Sequence, residues 1–380
     1  MKFKRIWFIV AIGLWVCSCI EPFEIGFSGE KQILTVDATI INTTDEQTFN
    51  ITESVTRNSV TYSFPVKAAI VEVIVNGSER VLLTEKNPGV YALPLSFQAK
   101  VGNSYQLVFK KADGTAYESA KEVMTSVPQI TKVYDEFRLD GQKTNIGYDA
   151  ASYVYLDTQD PANEQNNYVW SWRLWERQII CKSCSGGRYY VSPPPYGDCV
   201  REDNFKEIPF FDYACNGNCW DIFYNTTLNV FSDVFSNGKT ITGRLVAKIP
   251  YYAQDGALLE IKQQSVSESA YRYLKLLADQ TQNTGSLVDT PPAAVIGNIK
   301  NLTNPEEPVA GFFMVSGVRT FRYWLSRENA KVTNAVPIGI LGHKLHYEPN
   351  SEPPEPPRPP QAPCVPSKYR TNVKPAGWVD

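Results

Sequence analysis

Six cysteines offer the most specific chemistry in this 380-residue chain: Cys181, Cys184, Cys199, Cys215, Cys219 and Cys364. Five of them fall within 39 residues of a stretch rich in Gly, Pro and Tyr, where a long loop with little core costs conformational entropy. Disulfides would staple such a loop, and an even number of cysteines suits pairing, although sequence leaves the partners open. Two other readings compete. Cys181-x-x-Cys184 and Cys215-x-x-x-Cys219 could supply four thiolates to zinc, and a lone C-x-x-C could do redox chemistry. The redox reading wants the motif at a helix start in a βαβ setting, which the surrounding residues do not provide. Cys364 follows a proline-rich stretch, so pairing it with the cluster would pin the tail back onto the body.

Other chemistry-bearing residues are sparse. His343 and His346 are the only histidines, with no carboxylate at a matching spacing, and read as surface residues. No G-x-S-x-G occurs. Asp157 and Asp160 bracket Thr158-Gln159 ahead of Pro161, which is turn chemistry. A carboxylate pair for glycoside cleavage needs only two facing acids, so the 40 acidic residues leave that possibility open. Trp170 and Trp172, between Tyr168 and Trp175, share one face of a strand. Such a stripe stacks a sugar or an apolar ligand, or else forms core. No catalytic residue, metal or cofactor is expected.

The elements that must position these residues are strands. Tyr 21, Phe 18 and Trp 8, punctuated by Pro 26 and Gly 23, make the composition of many short strands joined by turns. Residues 32–125 alternate apolar and polar side chains: Ile33, Val36, Ala38 and Ile40, then Ala69, Val71, Val73 and Val75, then Tyr105, Leu107 and Phe109. Asn76-Gly77, Asn87-Pro88-Gly89 and Asp113-Gly114 supply the turns, and the span reads as an immunoglobulin-like β-sandwich. Thr125-Ser126-Val127-Pro128 breaks the pattern.

A larger β-sandwich is expected over 126–350, with strands near Ser152–Asp157, Tyr168–Trp175, Leu228–Phe231, Ile241–Ile249 and Leu258–Gln263, and Arg319–Leu325 closing the sheet. It carries the cysteine-rich insertion 181–219 and one amphipathic helix, 266–283. Ser265 with Glu268 forms the capping box of that helix, and Ala270, Tyr273, Leu274 and Leu277 form its apolar face. Residues 351–380 read as an extended proline-rich strap. The chain is therefore all-β, two sandwiches with one helix.

The compartment is written in the first nineteen residues. Lys2, Lys4 and Arg5 precede an uncharged run from Ile6 to Val16, and a helix of that length covers roughly 16 Å, about half a bilayer core. Cleavage is expected instead. Val16 three residues before Cys19 and Ser18 directly before it fit lipoprotein processing at Cys19, with Cys17 an unusual middle residue. Residues 1–18 are then the signal peptide and 19–31 a lipidated tether. Their loss removes three basic and no acidic side chains from a chain of 37 Lys plus Arg against 40 Asp plus Glu, taking the net charge from −3 to −6. Nucleic acid is excluded as a partner for want of a basic face.

Several motifs together resemble the domain of unknown function 4249 family. They are Cys19-Ile20-Glu21-Pro22-Phe23, Ala68 to Val75 with Gly89-Val90-Tyr91, Cys219-Trp220, Ala270-Tyr271-Arg272-Tyr273-Leu274 with Gln280, Gly285 to Pro292, Gly297-Asn298-Ile299, Pro308 to Phe313, and Lys374 to Trp378. The cysteines from Cys181 to Cys215 depart from the family pattern. Gly285 to Asn298 reads either as a binding loop or as a rigid connection. The resemblance implies a Bacteroidota outer-membrane lipoprotein, lipid-anchored at Cys19 and exposed at the cell surface or facing the periplasm. Such proteins are often encoded near TonB-dependent receptors, which implies a binding or accessory role in nutrient uptake. A structural or adhesive surface role is the alternative, and an enzyme acting on glycans a more distant one.

The lipid assignment has a direct check. Cys19→Ser precursor is expected to leave the membrane fraction and lose incorporation of labelled fatty acid; unchanged labelling would refute Cys19 as the attachment site.

Overall fold

A computed structural model describes residues 32–380 except 58–59, 163, 193–196, 206, 208–209, 283–294 and 351–357. The signal peptide, Cys19, the tether and most of the Gly285 to Asn298 segment lie outside the described residues. What is described is a mostly β, sandwich-like fold. Among the described residues no helix is long and apolar enough to cross a membrane.

Period-two patterning builds the first core. In strand Gln32–Ile41 the buried positions are Leu34, Val36, Ala38 and Ile40; Leu34, not Ile33, continues the inward face, because alternate Cβ atoms point the same way. These side chains pack with Val71, Val73 and Val75 of strand Ile70–Val75 and with Tyr105, Leu107 and Phe109 of strand Ser104–Lys110. Each such buried side chain contributes roughly 1.5–3 kcal/mol. Asn76 and Gly77, with φ of 51° and 78°, turn the chain into strand Glu79–Leu82.

The second core lies between two further layers. One is the sheet of strands Ile130–Thr144, Gly147–Gln159 and Thr240–Pro250, which supplies Val154, Leu156, Val246 and Ile249. The other includes strands Asn167–Arg177 and Ala257–Val266, which supply Tyr168, Trp170, Leu174, Leu259 and Ile261.

The first core includes residues up to Met124 and the second begins at Ile130, but the chain returns to the first core later. Ile299, Val309, Phe313 and Val315 complete the first core, and Leu325 belongs to the second. Strand Val309–Leu325, 17 residues long, joins them. Its first half pairs in parallel with Gln32–Ile41, from Leu34 opposite Val309 to Ile41 opposite Ser316. Its second half pairs antiparallel with Ala257–Val266. The strand therefore lies inside an eleven-stranded sheet rather than closing it at an edge. Sequence alternation shows that a strand exists, not which strand lies beside it.

The helix is Glu268–Gln282. Its N-terminal hydroxyl is that of Ser267, which accepts a hydrogen bond from the Ala270 N–H at 3.2 Å. Ser265 is not the cap: it is held extended between Tyr168 and Gly317 in the sheet, and its hydroxyl lies 2.7 Å from that of Thr125. Sheet pairing thus delays the helix past the start expected from the Ser265 and Glu268 spacing. Ala270 packs against the sheet with Val169, Val266 and Phe312.

A buried ion pair ties the end of the long strand to the second layer. Arg327 and Glu176 are 1% and 0% exposed, and the Arg327 Nη1 donates to Glu176 Oε2 at 3.0 Å and to the carbonyls of Ala253 at 3.1 Å and Asp255 at 2.8 Å. The guanidinium thus meets a carboxylate and two carbonyls, as a charge removed from water requires.

Gly311 limits how the two cores can join. Its φ is +92°, and a Cβ there would lie 1.9 Å from the Val36 carbonyl oxygen across the parallel pairing. Gly311→Ala is expected to cost roughly 3 kcal/mol or more, combining backbone strain with a main-chain clash. A denaturant melt that leaves the midpoint within error of wild type would refute this.

Candidate functional site

The six cysteines form three disulfides: Cys181–Cys215, Cys184–Cys199 and Cys219–Cys364, with Cα separations of 4.8, 5.4 and 5.6 Å. Two close the insertion on itself. The third fastens the tail, whose Ala362 is buried and bridges Cys215 while Arg370 and Thr371 pair with Asp221 and Trp220. Trp378 packs edge-on to Trp220 and Trp324, with ring centroids 5.7 and 5.1 Å away. With their sulfurs joined, these cysteines are not thiolate ligands. Three disulfides also mark an oxidising compartment outside the cytoplasm.

His346 is exposed, as the sequence suggests, but His343 is not a plain surface residue. His343 Nε2 lies 3.2 Å from both carboxylate oxygens of buried Asp212, and its ring is 3.9 Å from that of Phe210. Asp212 also receives the Ser183 hydroxyl and the His346 backbone N–H at 2.9 Å. The partner is 131 residues away, beyond any local spacing rule. Ser183 bonds the carboxylate rather than the imidazole, so the arrangement is not a serine–histidine pair. It fastens residues 343–346 to the disulfide-bonded insertion.

Asp157 and Asp160 are likewise engaged by main chain: Asp157 Oδ1 accepts from the Gly243 N–H and Asp160 Oδ2 from the Gly238 N–H, at 2.8 and 2.9 Å. Gly297 and Asn298 also have structural work, for Asn298 Oδ1 and Nδ2 bond both the N–H and the C=O of Phe313 at 2.8 Å.

The two tryptophans separate by depth. Trp170 is 1% exposed, and its indole N–H donates to Gln263 Oε1 at 3.0 Å, so it belongs to the core. Trp172 is half-buried on the wall of a groove of about 830 Å³. That volume lies within the range of small-molecule sites. Strand Thr240–Pro250, the end of the helix, the loop after Phe223 and the arm around Lys143 form its other walls. Phe223 and Tyr252 stack in it at 4.6 Å.

Arg244 gives the groove its electrostatic character. Its guanidinium lies 5.1 Å from the Trp170 ring and 5.2 Å from that of Phe231, and it donates to the Val230 carbonyl at 3.1 Å and to Asn229 Oδ1. Burial pulls its pKa below the ordinary arginine value, and among the described residues no carboxylate pairs with it. Sequence reading passed over Arg244 because a lone arginine in a strand has no motif. Gly243, with φ of 65°, is the available signal: the pairing with Gly147–Gln159 shifts register there, and such a bulge re-aims the next side chain.

Beneath the groove, Tyr168 packs beside Trp170 at 5.8 Å and donates its hydroxyl to Asp160. The Asp160 carboxyl meets that of Asp233, and both are buried. Burial lifts the Asp233 pKa; the Asn166 N–H opposes this, and the Asp160 charge reinforces it.

Together these features define an extracytoplasmic β-sandwich protein with a disulfide-fastened tail and an aromatic groove. A family model described as "Domain of unknown function (DUF4249)" matches residues 20–322, and the chain belongs to that family. No curated protein and no solved structure matches it.

The carboxyl pair sets a pH dependence. With its folded pKa raised, Asp233 contributes stability that is full below the unfolded-state pKa and is lost as pH rises through the folded one. Asp233→Asn is expected to remove that part of the decline as pH rises above the ordinary carboxyl value of 3.8. Thermal melts with the same slope in both proteins would show that Asp233 titrates normally.

Proposed function

We propose that this chain is an outer-membrane lipoprotein, anchored at Cys19, which binds a nutrient and serves as an accessory to a TonB-dependent receptor. The observation that carries the binding role is the groove beside Trp172. It offers aromatic surface and polar side chains at a scale suited to a small ligand, and it is built largely on strands and a helix rather than on free loops. The lipobox and the neighbourhood implied by family membership support the location and the partner. Three disulfides are consistent with work outside the cell.

A structural or adhesive role is supported by a different feature. Strand Val60–Pro65 is exposed along its length, and Val60, Tyr62 and Phe64, each about half exposed, share one of its faces. The strand pairs on one side with Thr48–Arg57, and its other edge, which carries no strand among the described residues, suits addition of a partner's strand.

Affinity purification of the full-length, processed lipoprotein from its native outer membrane separates the two. Near-stoichiometric recovery of a TonB-dependent receptor is the result expected for the uptake role. Recovery of the lipoprotein alone, with unaffected uptake in a deletion strain, would overturn it in favour of the adhesive role.

A further inference from the structure

The charge of the groove is opposite to that of the protein. The whole chain carries −3, yet the lining holds Lys143, Arg244, Lys248 and Lys275 against a single carboxylate, Asp279. Lys275 is already paired with Asp279 one helical turn away. The other three cations have no carboxylate partner among the described residues, and Lys248 instead lies over the Tyr153 ring at 4.9 Å. Arg244 is the most constrained. It sits against two aromatic rings, it donates only to the neutral Asn229 side chain and Val230 carbonyl among the described residues, and its buried Nε has no acceptor there.

A guanidinium held in this way costs desolvation that a carboxylate would offset. The same cavity presents Trp172 and the stacked Phe223 and Tyr252. Apolar ring faces complement the C–H faces of a pyranose or another flat ring. An inorganic anion would use the cations and leave this aromatic surface idle, whereas a neutral sugar would use the rings and leave Arg244 uncompensated.

We propose that the groove between Trp172 and Arg244 binds an acidic saccharide, with a uronate carboxylate received by Arg244 and Lys248 and sugar rings set against the aromatic side chains. This rests on the binding role proposed above and names its ligand class. The loss of a charge-assisted contact in a partly buried site corresponds to roughly 10-fold or more in affinity.

Isothermal titration of the mature protein with a panel of uronate oligosaccharides, with neutral oligosaccharides of matching linkage and length, and with inorganic phosphate tests the assignment. At least one uronate oligosaccharide is expected to bind at least about 10-fold more tightly than its neutral counterpart, more weakly at high salt, and without competition from millimolar phosphate. Lys248→Glu, on an exposed side chain, and Trp172→Ala should each weaken it, as should Arg244→Gln if its melting curve shows a folded protein. Equal binding of the neutral sugar, displacement by phosphate, an unchanged Lys248→Glu isotherm, or no binding across the panel would each overturn the inference. Receptor recovery is read separately: a receptor recovered with a silent groove sinks only the ligand class, and a bound uronate without a receptor sinks only the uptake role.

Discussion

Parallel pairing between the first described strand and the last long one is the constraint on which the architecture rests. Gln32–Ile41 and Val309–Leu325 meet over eight residue pairs with nearly all of the chain between them. The first sandwich is not complete until that contact forms, because Phe313 and Val315 fill its core, and the same strand carries Leu325 on into the second. Gly311 permits the approach, and Asn298 extends the hydrogen bonding by treating the Phe313 backbone as a neighbouring strand would. The motif residues around 297–313 thus serve a junction of backbones, where side-chain volume is the limiting quantity.

The C-terminal half is held from outside as well as from within. Its second core lies between sheets, but the insertion and tail have a small core of their own, built on disulfides with Tyr189, Phe211 and Tyr213. Glu348, 2% exposed, gathers Arg188, Arg358 and the Tyr213 hydroxyl at the centre of this lobe. Asp212 plays the same part for Ser183 and His343. Covalent closure and buried charge networks take over where a short, turn-rich segment cannot bury enough apolar surface.

The groove follows from how the second sandwich is edged. One aromatic column runs from the Asp160 and Asp233 carboxyls through Tyr168 and Trp170 to Arg244, so a core ring on one side supports a cation at the cavity wall on the other. The bulge at Gly243 is what turns Arg244 onto that column. Trp172, two residues along the strand from Trp170, remains half-buried because the loop after Phe223 and the helix end leave the space in front of it open.

Much of this was legible in the residues themselves. Alternation located strands such as Ile70–Val75 and Thr240–Pro250, the spacing of Ala270, Tyr273 and Leu274 located the helix, and motifs placed the chain in its family, because each depends on near neighbours and on a fixed period. The cysteine count in an exported chain likewise pointed to disulfides. Tertiary structure alone decided the rest: which cysteines paired, that Ser265 stayed in a strand and Ser267 capped the helix, that His343 found Asp212, and that Val309–Leu325 ran through the sheet. All of these are contacts between residues distant in the chain, or choices between local options settled by them. Local periodicity fixes the direction in which a side chain points; only the packed chain determines what it meets there.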